Sequence, residues 1–155
     1  MNKYYENAKG KLFVDPILAN HVGLTEITQE QFNQIIADRN TPTTDQLLHR
    51  LTQARKEQER QGVTVNGIRY AGDPGNRQAM QESLAFMEDA GLAEFTSWKD
   101  SDDVFHANHP LADVRNAYRA IGVSRAGLIA VEGFHAAKIT AGTLTDLAGL
   151  SWVVG

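Results

Sequence analysis

The period of apolar and polar positions changes several times along the chain, and each change marks an element. Lys3-Tyr4-Tyr5-Glu6 and Lys11-Leu12-Phe13-Val14 flank the turn-rich Asn7-Ala8-Lys9-Gly10, which predicts a small hairpin. Asp15-Pro16 ends its second strand, because proline cannot continue a ladder. A loop with Gly23 leads to Leu24-Thr25-Glu26-Ile27-Thr28, where Thr28 and Gln31 form a capping-box pattern. The helix that follows shows Phe32, Ile35 and Ile36 on one face and stops near Asn40. Thr41-Pro42-Thr43-Thr44 is short and polar and makes the best boundary. Beyond it, Thr43 or Thr44 caps a helix to about Gln61, which Gly62 ends. Leu47, Leu48, Leu51 and Ala54 form its apolar face, but every side chain from Arg55 to Gln61 is polar or charged. Half of it is therefore expected to be buried, and half to face water or a polar partner. That pattern reads as a spacer between two modules and is too short for a coiled-coil seam.

Val63-Thr64-Val65 and Ile68-Arg69-Tyr70 meet at Asn66-Gly67, the strongest short signal for a two-residue hairpin turn. The register pairs Val65 with Ile68, Thr64 with Arg69 and Val63 with Tyr70, leaving an apolar face for helices to cover. Asp73-Pro74 opens a helix in which Met80, Leu84 and Met87 recur at helical spacing as core, and Gly91 closes it. Glu94–Lys99 and Val104–Ala107 flank Asp100-Ser101-Asp102-Asp103, and a four-residue loop there places Trp98 opposite Phe105. From Pro110 to Ile121 a helix carries Leu111, Val114, Tyr118 and Ile121 on one face. Gly122-Val123-Ser124 marks either a break or a kink, after which Leu128, Val131, Phe134, His135 and Ile139 continue the face to about Thr140. Gly142 stops it, Thr143 caps a last turn with Leu144, Leu147 and Leu150, and Trp152 and Val153 fold back on the core. The fold class is α+β: small hairpins packed against several helices. Its expected parts are a hairpin-helix module over 1–40, a spacer helix over 41–62 and an α+β domain over 63–155.

Composition narrows the chemistry. The chain has 155 residues and no cysteine, so it can form neither disulfides nor thiolate metal sites. Its net charge of −4 comes entirely from residues 63–155, which hold seven Lys/Arg against eleven Asp/Glu. No basic stripe exists to neutralise phosphates, which argues against nucleic acid as partner. No apolar run spans a bilayer, and the start lacks an apolar signal core, so a cytoplasmic protein is expected. His106 and His109 lie near Asp102 and Asp103, but a histidine in a strand and another at a helix start do not imply convergence on a metal. The acidic tetrapeptide reads as a solvated turn, lacking the glycine and distal glutamate of a calcium loop. His135 is expected to bond a carbonyl. Ser97, Ser101, Ser124 and Ser151 sit in no nucleophile elbow, and Gly72 and Gly75 make no phosphate loop. No catalytic, metal-binding or cofactor-binding residue is assigned, no cofactor is implied, and no enzymatic activity is expected.

Two patterns resemble known families. Gly62-Val-Thr-Val-Asn-Gly-Ile-Arg-Tyr, Asp73-Pro-Gly-Asn-Arg-Gln, Trp98-Lys99 and Thr143-Leu-Thr-Asp-Leu-Ala-Gly-Leu, across 62–152, resemble an uncharacterised domain family of tailed phages and prophages. Members of that family are often encoded near tail-fibre genes. Over 3–39, Tyr-Tyr…Gly-Lys-Leu-Phe-Val-Asp-Pro and Leu-Thr-Glu-Ile-Thr-Gln-Glu-Gln-Phe look like the opening of phage tail-fibre assembly proteins. Gly122-Val123-Ser124 departs from the more continuous alanine-rich helix of the first family. The resemblance implies a tail-associated structural or adaptor protein acting through contacts with tail-fibre or other tail proteins, with homo-oligomer formation open. Its variant is an assembly chaperone that leaves the particle. The location implied is the host cytoplasm during assembly and then the virion tail, with no nucleic-acid or membrane partner. The contact surfaces expected are the aromatic hairpin (Tyr4, Tyr5, Phe13) and the polar half of the 44–61 helix, represented by Arg55 and Glu59. A host-facing enzyme or small-ligand protein is the competing class, and no residues were found for it.

Overall fold

The computed structural model describes residues 2–14 and 23–152. Asp15-Pro16, expected to end a strand, and Val153, expected to fold back, lie outside the described residues. The chain divides into two compact units, Met1–Thr43 and Thr44–Gly155.

In the first unit, β1 (Tyr4–Asn7) pairs antiparallel with β2 (Leu12–Val14), joining Tyr4 to Val14, Tyr5 to Phe13 and Glu6 to Leu12. The Asn7 side chain builds the turn, its Oδ1 accepting from the N–H groups of Lys9 and Lys11 at 3.0 and 2.9 Å. A third strand, β3 (Leu24–Ile27), lies on the other side of β1, so the sheet order is β2-β1-β3. Helix α1 (Gln29–Asn40) starts on the capping box expected at Thr28: Gln31 N–H donates to Thr28 Oγ1 at 3.1 Å, and Thr28 N–H donates to Gln31 Oε1 at 2.8 Å. Tyr4 meets Phe32 of α1 with ring centroids 4.7 Å apart.

The second unit is α+β. Helix α2 (Thr44–Gln61) leads into the hairpin of β4 (Val63–Val65) and β5 (Ile68–Tyr70), which has the register expected from Asn66-Gly67. Both turn residues have positive φ, 51° and 79°. Gly62 is tighter still: a Cβ there would lie 1.8 Å from the Tyr70 carbonyl oxygen, so only glycine brings the helix end this close to β5.

Helix α3 (Pro74–Asp89) is capped by Asp73, whose carboxylate accepts from Asn76 N–H at 3.0 Å. Gly91 closes it in a Schellman arrangement, with Leu92 N–H on Met87 O and Gly91 N–H on Glu88 O. Met80, Leu84 and Met87 are buried, as their spacing predicts, with Tyr70 and the Leu111–Ile121 face.

The next hairpin differs from the sequence expectation by one residue. β6 (Glu94–Lys99) and β7 (Phe105–Pro110) pair Lys99 with Phe105 and Trp98 with His106, leaving a five-residue loop instead of four. Asp103 takes positive φ in that loop, and Asp100 N–H bonds Val104 O at 2.9 Å. Shifting a strand by one residue exchanges its faces. Phe105 therefore points outward, and β7 runs on through His109, where a helix start was expected.

Helix α4 (Leu111–Thr140) passes through Gly122-Val123-Ser124 without interruption. Ile121 and Leu128 are buried on either side of that tripeptide, and this packing outweighs the weak helix propensity of glycine. Among the described residues no helix follows Gly142. Leu144, Leu147, Leu150 and Trp152 instead lie as irregular chain against Leu47 and Leu51 of α2 and Ile139 of α4. Helix α2 is thus part of the second unit's core, held along α4, where a spacer was expected.

Candidate functional site

Polar side chains converge at two places in the second unit, and apolar ones are displayed at a third. The first convergence lies on the inner face of the β6–β7 hairpin. Asn108, opposite the middle of β6, has φ of 50°, a conformation that asparagine tolerates better than most residues. It re-aims the strand so that His106 and His109, three residues apart, share one face, with ring centroids 5.8 Å apart. His109 stacks on Trp98 at 5.8 Å, and its Nε2 lies 2.7 Å from the Tyr70 hydroxyl of β5. His106 Nε2 lies 2.8 Å from Asp100 Oδ2 at the loop. The two histidine rings thus meet on one face without forming a metal-ligand set, and positive φ at Asn108 is what brings them there.

The electrostatics of this cluster follow from burial. Desolvation pushes the Tyr70 hydroxyl up to about 12, with Asp113 and Asp100 adding to the shift. Burial also lowers His109, opposed by Asp113 and assisted by His106. The His106 ring bond, followed by the Val104 N–H, holds the Asp100 carboxyl down at about 2. At neutral pH, tyrosine and imidazole are both uncharged, and one hydrogen bond joins them in either ring tautomer. His109 is 3% exposed and Tyr70 is fully covered, so no substrate reaches the pair. The arrangement locks one hairpin to the other. The Asp100–Asp103 loop belongs to the same lock: Arg69 of β5 donates to Asp102 Oδ1 and to the Ser101 carbonyl, and Ala71 N–H donates to Ser101 Oγ. Only Asp102 and Asp103 remain solvated, as expected of that turn.

The second convergence is a charge cluster at the seam of α2, α3 and α4. Glu59, 8% exposed, is approached by Arg55 Nη1 at 2.5 Å, Arg125 Nε at 3.2 Å and Arg77 Nη1 at 3.8 Å. Glu132 of α4 accepts a hydrogen bond from the Thr52 hydroxyl at 2.7 Å and forms an ion pair with Arg55, its Oε2 lying 2.5 Å from Nε. Arg55 and Glu59 were expected on an open polar face. They are instead turned inward, because α4 brings a carboxylate and a guanidinium to meet them.

The aromatic hairpin of the first unit is also less open than expected. Tyr5 is 5% exposed, and Tyr4 and Phe13 are half-buried. Lys11 Nζ sits 5.3 Å from the Phe13 ring centroid. On α4, His135 Nδ1 is buried and makes no hydrogen bond, where a carbonyl partner was expected. Phe134, expected in the core, is exposed and carries Lys138 Nζ 4.3 Å from its ring centroid. The large apolar side chains left open in the second unit include Val104 and Phe105 at the β6–β7 tip and Val123, Ile129 and Phe134 on α4. Among the described residues, no group of three or more acidic or histidine side chains could hold a metal, and no helix is long and apolar enough to cross a membrane.

A family model described as a domain of unknown function (DUF4376) matches residues 42–149. The match takes in α2 through α4 and the chain as far as residue 149. No curated protein and no solved structure matches the chain.

Proposed function

The chain belongs to this family of unknown function, and from its own residues we infer that it is a tail-associated protein of a bacteriophage. In this reading it is a structural or adaptor element that works by protein–protein contact in the tail-fibre or baseplate region. It is made in the host cytoplasm and carried into the virion tail. The contact part of the reading is supported by the tip of the β6–β7 hairpin. Phe105 is 70% exposed there beside an open Val104, on a platform whose inner face is held by Trp98, Phe95 and His109. An aromatic side chain on a rigid element loses little freedom on docking, which makes it an effective anchor. The phage setting is supported by the sequence resemblance over the Val63–Tyr70 hairpin, Asp73-Pro74 and Trp98-Lys99.

Cross-linking with mass spectrometry in phage-producing cells tests the contact. Links from Lys99, beside Phe105, to a fibre or baseplate protein are expected, together with their loss in Phe105→Ser at unchanged melting temperature. Links solely to host enzymes, or no effect of Phe105→Ser, would count against the reading.

A further inference from the structure

Of the nine asparagines in the chain, Asn66 alone precedes a glycine. An asparagine so placed loses its side-chain amide most readily, because glycine has no side chain to hinder its own nitrogen from approaching the neighbouring amide carbon. Both residues are exposed, and a Cβ built at Gly67 would meet nothing within 4 Å. What sets this pair apart is its hold on the rest of the fold. Asn66 Nδ2 donates to Asp113 Oδ1 at 3.1 Å, tying the tip of the β4–β5 hairpin to the first turn of α4. Among the described residues, no other hydrogen bond or ion pair engages the Asp113 carboxylate. Behind the tip, Val63, Val65 and Ile68 pack against the core cluster to which Leu111 and Val114 of α4 belong.

We propose that Asn66 is a site of self-modification, and that Asp113 both holds the reaction back and makes it one-way. The Gly67 nitrogen gives up its proton and bonds to the Asn66 side-chain carbonyl carbon, whose bond to nitrogen breaks and releases ammonia. Water then opens the cyclic imide at either carbonyl, leaving aspartate or isoaspartate. The closed hairpin opposes the first step. With φ positive at both residues and Val65 paired to Ile68, the peptide between Asn66 and Gly67 cannot turn toward the side chain unless the tip opens. The Asp113 bond resists that opening, since a charged acceptor makes the stronger hydrogen bond. After conversion the donor is gone. A carboxylate then faces the Asp113 carboxylate, and the two like charges repel. Isoaspartate also adds a backbone carbon, which breaks the register of a two-residue turn. The tip cannot dock again, and the hairpin stays loosened from the start of α4.

Trypsin releases Gln61–Arg69 with Asn66 as its sole asparagine, so mass mapping of the full chain, kept warm at mildly alkaline pH, reads the site directly. A gain of about 1 Da at residue 66 is expected over weeks, with the other asparagines unchanged. The rate should be about 10-fold or more below that of the same peptide free in solution, because only the opened tip reacts. Asp113→Ala should speed conversion about 3-fold or more, with helical circular dichroism unchanged. Asn66→Asp, equivalent to the aspartate product, should lower the melting temperature. Combining it with Asp113→Asn restores the bond with donor and acceptor exchanged, and should recover most of that loss. Asn66 intact throughout, conversion as fast as in the free peptide, equal rates with and without Asp113, or no recovery in the exchanged pair would overturn the proposal.

Discussion

Removing the Glu59 carboxylate would leave Arg55, Arg77 and Arg125 without the acid they share at the helix seam. A buried ion pair adds little over an apolar pair of the same shape, but stripping one partner from it is severe. Glu59→Ala is therefore expected to lower stability by about 3 kcal/mol in denaturant titration. Glu57→Ala, two residues away on the open side with a single exposed partner, should stay within about 0.5 kcal/mol. The run from Arg55 to Gln61 does not reveal that Glu59 is buried, because two of its three arginine partners, Arg77 and Arg125, come from α3 and α4. His109 makes a second residue-scale prediction. Its folded pKa is depressed by burial below 6.5, so the unfolded chain binds the proton first as pH falls. Its contribution is complete above about 6.5 and is lost below it. Asp100, held at about 2, adds a loss between about 4 and about 2. Tyr70, raised to about 12, adds one as pH climbs past about 10. Melting temperature should thus plateau between about pH 7 and 9. A His109→Gln variant, which does not titrate there, should lose the decline between about 7 and 5.

Two hairpins show what an element reveals locally. At 63–70 the register was legible, because Asn66-Gly67 specifies both the turn type and its length. Gly67→Val should lower stability by about 1–3 kcal/mol, since φ of 79° excludes a β-branched side chain. An unchanged melting temperature would contradict that account of the turn. At 94–110 the acidic loop has no such signature. Its fifth residue, made possible by positive φ at Asp103, moves Phe105 off the position opposite Trp98 and puts His106 there, and positive φ at Asn108 brings His109 to the same face. The leucines after Gly142 have helical spacing but pack as irregular chain, because contact with Leu47, Leu51 and Ile139 needs only their side chains. Helix α4 shows the converse, running through a glycine-containing tripeptide because burial on both sides sustains it.

For the whole molecule, the α+β class and most core positions could be read from periodicity and caps. The role of α2 could not. A helix that is half leucine and half charge looks like a spacer until the long helix supplying its leucine and arginine partners is in place. The candidate contact surfaces changed for the same reason. Tyr5, Arg55 and Glu59 found partners within the chain, while Phe105 and the outer face of α4 remained open. These open surfaces sit in the family-matched unit, and they carry the reading of a protein built to be contacted. Quantitative mass spectrometry of purified phage particles tests that reading most directly. The account predicts this chain at a fixed copy number relative to the tail proteins; its absence from intact, infectious particles would contradict it.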